Sequence, residues 1–363
     1  MATPKDLQRE ILLLTMMLER TRPVSLTEFE KVMSEALDEV ILKIIKAKSP
    51  MTITQSREIL KSIKDLLTPI YKDFPEWIRL DEELALKMSY ETTVAAMVSL
   101  PFVIENKLTA VSFNKINKDQ IDALLSPNRQ LGSMGLTLND LIGDTQDAQY
   151  KRARQILAKG VTAKHSPSQI TNDMRQLFTD ITKNKAETIV RTAILDSAEI
   201  AQHKSYEQFD EVIIGYRSRA VLDDRTSDIC VFYHDKVWKR KSGETQKQLY
   251  ERIPDKPKRH PRCRSILIPE TKDTKKQFEQ TTVPAAEGKG KDRTFYRLRA
   301  DATFDEFFST ISPEAQAKLV GGKEKARLMR EGKLSFKDVL KKQRNGEIKY
   351  LTNDEIKEIY QLD

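Results

Sequence analysis

Cysteine is nearly missing from this chain of 363 residues: it has two, Cys230 and Cys263. Two cysteines cannot build a disulfide framework at this length, so a packed core must carry stability and a reducing compartment is expected. Glycine is scarce at 12 residues and aromatics make up only 7%. That composition suits long helices better than a barrel or sandwich. Long hydrophobic runs are missing too. Leu12-Leu13-Leu14-Thr15-Met16-Met17-Leu18 is too short to span a bilayer. Met1-Ala2-Thr3-Pro4-Lys5-Asp6 lacks the basic-then-apolar pattern of a secretory signal. A soluble protein made in the cytoplasm is the expectation.

What is present is charge and helical periodicity. Charged residues reach 32% against 39% hydrophobic, with a net charge of +8. A basic excess of this size favours acidic partners, nucleic acid among them, without selecting one. Residues 5–22 read as a first helix. Thr27 and Glu30 are spaced as a capping box for the next, whose apolar row from Phe29 to Ile45 steps by three and four until Pro50. Thr54–Leu67 and Glu82–Leu100 read as two further helices, with Pro69 and Pro75 in a connector between them. Pro127, Gly132, Gly135 and Gly143 mark the best boundary. Ser166-Pro167 starts another helix. A long one, Lys183 to Gln208, should bury Ile189, Val190, Ala193, Ile194, Ala198, Ala201 and Tyr206.

Glu211 to Ala220 changes to strand-like alternation, with Gly215 hinting at a bulge or close approach. Val231-Phe232-Tyr233, Lys236-Val237-Trp238 and Arg264 to Ile268 read as further strands, with a turn at His234-Asp235. Thr271 to Lys291 is polar and reads as a linker. Short helices follow at Phe304–Ser309, Pro313–Val320, Lys323–Glu331, Phe336–Lys342 and Asn353–Tyr360. The expected class is α+β: a helical N-terminal domain (1–145), a small Cys/His-bearing sheet module (146–270), and a basic linker with a C-terminal helical segment (271–363).

Both cysteines and two of the four histidines fall between Asp223 and Pro269. Cys230, His234, His260 and Cys263 are four residues that zinc could use, since it takes thiolate and imidazole in a tetrahedron. Equally, the two cysteines could pack as apolar groups. Catalysis by Cys263 with His260 is disfavoured, because residues three apart on an extended segment point apart. Asp223, Asp224 and Asp228 could hold a hard metal, but Arg225 among them favours an ion pair that pins the turn. From Lys236 to Lys276 there are 14 Lys and Arg against 5 Asp and Glu, an excess larger than the +8 of the whole chain. Lys239, Arg240, Lys241, Lys256, Lys258, Arg259 and Arg262 are the expected contacts, either to DNA phosphates or to an acidic protein surface.

Arg191-Thr192, a helix to Tyr206, a strand, Asp224-Arg225-Thr226 followed by Cys230, and then His260-Pro261-x-Cys263-Arg264 together resemble the Mu F-like head-morphogenesis family, the minor head proteins of tailed phages. Phe307-Phe308, Gln316, Leu319, Gly322, Arg327, Arg330 to Ser335 and Asp338 are similar to the segment that often follows this module. The resemblance covers about residues 150–345. Ala193, Ser227 and Ser265 stand where the family usually has Glu, Cys and Cys, so half of its four-cysteine set is missing. The resemblance implies a non-enzymatic virion component, made in the host cytoplasm and placed inside the head near the portal vertex. Its implied partners are the portal protein, capsid or scaffolding protein, and double-stranded DNA that it contacts or follows at ejection, with no membrane in the assembled head. No cofactor is required, zinc being the one option. Arg191 and Arg225 would organise the module through ion pairs. The alternative reading is a metal-dependent nucleic-acid-binding protein, or a nuclease using Asp223, Asp224, Asp228 and His260.

Overall fold

A computed structural model describes residues 7–47, 50–100, 103, 116–126, 128–272, 282–288, 294–299, 301–343 and 347–360. The class is as expected: helices first, small sheets in the middle, short helices at the end. Helices α1 (Leu7–Arg20) and α2 (Val24–Lys46) lie where the periodicity puts them. Thr27, however, does not cap α2. The helix starts three residues earlier, Thr27 Oγ1 bonds back to the Pro23 carbonyl at 3.4 Å, and Glu30 pairs with Arg22. The cap comes from far along the chain. Asp81 accepts hydrogen bonds from Val24 N at 3.0 Å and Ser25 N at 2.9 Å, satisfying two donors that have no partner within the helix.

The two helices expected on either side of Pro69 and Pro75 are one. Helix α3 runs from Ile53 to Val98, 46 residues with both prolines inside, roughly 69 Å at 1.5 Å per residue. Each interior proline removes a hydrogen bond and costs about 3 kcal/mol. Ile59, Ile63, Leu67, Ile70, Tyr71, Phe74 and Ile78 are all buried around them. At about 1.5–3 kcal/mol for each such side chain, burial outweighs both interruptions. The start is secured by a capping box of Thr52 and Gln55.

Helix α4 (Lys118–Leu124) leads to α5 (Leu138–Thr162), α6 (Pro167–Asp180) and, through a π-helical turn at Ile181–Ala186, to α7 (Glu187–Tyr206). Ser166 and Pro167 start α6 as expected. All seven positions expected on the buried face of α7 are buried, and Thr192, Leu195, Asp196, Ser197, Glu199, Gln202, His203 and Ser205 are buried as well. No residue of this helix is fully exposed. One buried cluster runs from Leu14 to Ala198 through α2, α3, α5, α6 and the first half of α7. The boundary expected after residue 145 therefore falls inside α5 and inside a shared core. A second cluster joins the start of α1 and the end of α3 to Tyr206 and everything beyond it, as far as Ile356.

Strands β1 (Gly215–Arg219), β3 (Val237–Lys239) and β4 (Ile266–Glu270) form an antiparallel sheet in the order β3-β1-β4. Gly215 allows the close approach its position suggested, because a Cβ there would lie 2.9 Å from the Trp238 carbonyl oxygen. Val231-Phe232-Tyr233, expected as a strand, belongs to helix α8 (Asp228–Tyr233). A short helix α9 (Gln246–Arg252) follows β3. The expected linker contains β5 (Thr282–Glu287), which pairs in parallel with β2 (Leu222–Asp223) and antiparallel with β6 (Thr294–Arg299). The rest of the linker lies largely outside the described residues. Helices α10 (Phe304–Thr310), α11 (Pro313–Leu319), α12 (Lys323–Arg330) and α14 (Asn353–Tyr360) match expectation. The helix expected over Phe336–Lys342 splits into α13 (Phe336–Val339) and strand β7 (Leu340–Lys342), which pairs with β8 (Ile348–Tyr350).

Asp81→Ala removes the α2 cap without touching either apolar cluster. We expect it to lower stability by about 1–2 kcal/mol in urea unfolding. An unchanged midpoint would mean that water caps α2 equally well.

A candidate metal centre held in an ionic frame

The turn after β2 is built on Asp223. Its carboxylate is fully buried and accepts two hydrogen bonds from Arg264, one of them 2.8 Å from Nη2. It also accepts from the Arg225 backbone N–H at 3.1 Å, from Arg225 Nη2 at 3.2 Å and from Thr226 Oγ1 at 3.0 Å. Burial alone would raise the Asp223 pKa, but the hydrogen bonds and charge of Arg264, with Arg225 and Thr226, hold it below the usual carboxylate range. Glu19 on α1 completes the frame, 3.3 Å from Arg225 and 3.6 Å from Arg264. Asp224 turns the other way and pairs with Lys318 on α11. The ion pair favoured over a hard-metal site is thus what forms, with Asp223 as its centre.

Within this frame Cys230, His260 and Cys263 meet. Cys230 Sγ lies 3.5 Å from Cys263 Sγ and 3.2 Å from His260 Nε2. The ligating atoms of all three lie within 4.8 Å of one another. Tetrahedral zinc at its usual bond lengths spaces its donors about 3.5–3.8 Å apart, so the set fits. The histidine is oriented for it. Nδ1 lies 2.9 Å from the Pro261 carbonyl, which accepts its proton and leaves Nε2 facing the thiols. Ser227 Oγ is 2.7 Å from that same Nε2. Burial would raise the Cys263 pKa, yet hydrogen bonds with Cys230 and His260, and the Lys258 charge, push it well below the ordinary thiol value. Cys230, bonded to Cys263 and buried, is pushed well above it. The three residues can hold a metal ion.

His234 does not join them. It is half-buried 4.9 Å ring to ring from Phe304, with Nδ1 accepting from Ala220 N at 3.1 Å and Nε2 3.2 Å from the Ala302 carbonyl. Burial, reinforced by Arg219, pushes its pKa down to about 3. A neutral ring with both nitrogens engaged is a structural bridge to the C-terminal segment.

The basic stretch is not a free cationic surface. Lys258 is buried and pairs with Glu199 on α7 at 3.2 Å, while its Nζ also donates to the Ser265 carbonyl at 3.0 Å. Arg259 is buried over the Tyr233 ring and bonds to Ser218. Arg240 clasps Asp210 at 2.8 Å, and Lys256 lies over Tyr250. Arg262 pairs with Glu187 at 3.1 Å. Lys239 and Lys241 remain exposed. Arg191 bonds to Glu187 at 2.8 Å and to the Thr21 carbonyl at 3.2 Å, and Thr192 Oγ1 accepts from Arg262 N at 2.9 Å. The Arg-Thr pair of α7 is thereby joined to the loop that carries His260, Pro261 and Cys263.

Sequence reasoning missed the polar core beside this loop. Arg129 bridges Glu82 on α3 and Asp196 on α7, the latter at 3.2 Å, and Gly132 N donates to Asp196 at 2.9 Å. Burial pushes the Asp196 pKa up to about 6, against the pull of Arg129. The available signal was Asp196, Glu199 and His203 at helical spacing within an Ala- and Ile-rich face. No protein-family model, curated protein or solved structure matches this chain.

Removing one partner of a buried ion pair strands the other, which costs about 3–5 kcal/mol. We expect that loss for Asp223→Ala in urea unfolding, and a smaller one when Arg264→Met is added. Equal losses for the single and double variants would mean the pair is not what holds the turn.

Proposed function

We propose that this chain is a non-catalytic minor head protein of a tailed phage, acting in head assembly near the portal vertex. One observation carries the reading. The motif residues on which the family resemblance rests come from separate stretches and meet in one place. Thr192 touches the backbone of Arg262, Arg225 and Arg264 share Asp223 and Glu19, and Cys230 meets Cys263 and His260, while Asp224 alone points away to Lys318. A chance likeness of short motifs has no reason to close on itself in space. On this reading the protein is made in the host cytoplasm and acts in the head interior, with the portal protein and capsid or scaffolding protein as partners. Among the described residues no helix is long and apolar enough to cross a membrane. Contact with packaged double-stranded DNA falls to the exposed Lys239 and Lys241 rather than to the whole basic stretch.

The metal on this reading is zinc, held by Cys230, His260 and Cys263. It would tie α8 to the loop before β4 through these three protein ligands, with a fourth coordination position left to water or another donor. Protein purified without chelator should carry about one zinc per chain, lost in Cys263→Ser, and chelation should lower the melting temperature. Metal-free protein with an unchanged melting temperature after chelation would leave the cluster as buried thiols only.

The assembly role is tested by co-expression with the portal protein of the same phage. The two should copurify at moderate salt as a defined complex. Failure to associate with assembled portal rings, together with retention of DNA by the chain alone across a salt series, would replace the assembly reading with a nucleic-acid-binding one.

A further inference from the structure

Helices α1 and α3, with Val24 at the start of α2, share an apolar face that the other described residues leave uncovered. Leu13, Met17, Val24, Leu80 and Leu84 are exposed by between 39% and 68%, an unusual concentration for side chains of this size. Leu80, Leu84 and Met88 form an i, i+4, i+8 row on α3. Between that helix and α1 runs an open groove of about 660 Å³, with Leu13, Met17 and Met88 in its wall. Charge closes the groove at its two ends. Glu10 lines it at the N-terminal end of α1 and Arg20 at the C-terminal end.

The spacing of these four α1 residues is self-complementary. Glu10, Leu13, Met17 and Arg20 follow steps of three, four and three, the seam spacing of paired helices. A two-fold axis passing α1 at the level of residue 15 sets two antiparallel copies in one register. In that register Leu13 meets Met17 of the other copy, and Glu10 meets its Arg20. Both matches come from the same axis, and each occurs twice by symmetry, as an isologous interface requires.

We propose that this face is where a second copy of the chain docks, α1 against α1 in antiparallel register. The partner's apolar residues fill the groove over Met88 and Thr92, and two Glu10–Arg20 pairs fix orientation at the rim. The proposal goes beyond the head-assembly reading and stands without it. Portal binding and self-association are separate measurements.

The test is sedimentation equilibrium of the full chain at increasing concentration. Wild type should move from 41.8 kDa towards twice that mass. Met17→Glu, on an exposed position, should stay monomeric with an unchanged circular dichroism spectrum. Glu10→Arg and Arg20→Glu should each weaken the dimer about tenfold or more, because each places like charges together twice. An equimolar mixture of those two variants should dimerise again, since every rim contact in the mixed pair is once more Arg against Glu. A wild-type chain monomeric at all concentrations, or a dimer indifferent to Met17→Glu, would overturn the proposal. So would a mixture no more associated than its components. In any of these cases the face is left to a helix of another protein.

Discussion

The structure depends on a carboxylate that water cannot reach. Asp223 is buried at the end of β2, and its charge is tolerable only because Arg264 meets it with two hydrogen bonds while Arg225 and Thr226 take up the remaining acceptor sites. Those partners come from different places. Arg264 begins the segment that enters β4, Arg225 belongs to the turn itself, and Glu19 reaches both arginines from the first helix. Charge neutralisation therefore fixes three separate pieces of chain against each other before any apolar contact is counted. Cys230 and Cys263 follow from this. Cys263 is the residue next to Arg264, and Cys230 is in the helix that the Asp223 turn starts, so once the pair forms the two thiols face each other.

How much of this was legible depended on the range of the interaction. The buried side of α7 could be read position by position, because helical periodicity is local and the sequence repeats it without interruption. The short C-terminal helices were legible for the same reason, most of them opened by their own Ser, Thr or Pro, with α12 after Gly322 the exception. Pro69 and Pro75 misled because a proline announces a local cost, whereas the gain that overrides it lies in α2, α5 and α7, packed against the same turns. Strand β5 has little apolar character of its own and exists through its partners β2 and β6.

The candidate site was legible in part, again for a reason of range. Cys230, His260 and Cys263 were chosen as ligand types and do converge. His234 was chosen on the same ground and does not, since its nitrogens are claimed by Ala220 and Ala302. The cations were misjudged more seriously. A sequence counts Lys258 and Arg259 as surface charge, but it cannot display the acid waiting for Lys258 on a helix nearly 60 residues earlier. The loop itself is unusual: Asp255, Lys258 and Arg262 all adopt left-handed backbone conformations without being glycine. Such conformations persist only where surroundings over-determine them. Here the Lys258–Glu199 pair and the Arg262–Thr192 hydrogen bond do so, and the loop that presents His260 and Cys263 is held in place by the helix beneath it.

The length of α3 has a consequence for how the chain is made. Its buried side closes against α7, as when Ser89 donates to the Ala198 carbonyl across 109 positions of sequence. Helix α2 covers the turns around Tyr71 and Phe74 as soon as both helices form, but the stretch around Ser89 has no cover from α7 until α7 emerges. At roughly 5–20 residues per second, the side of α3 that meets α7 waits about 5–20 seconds for its cover in every round of synthesis. The helix that unites the finished molecule is thus, while the molecule is being made, only partly covered.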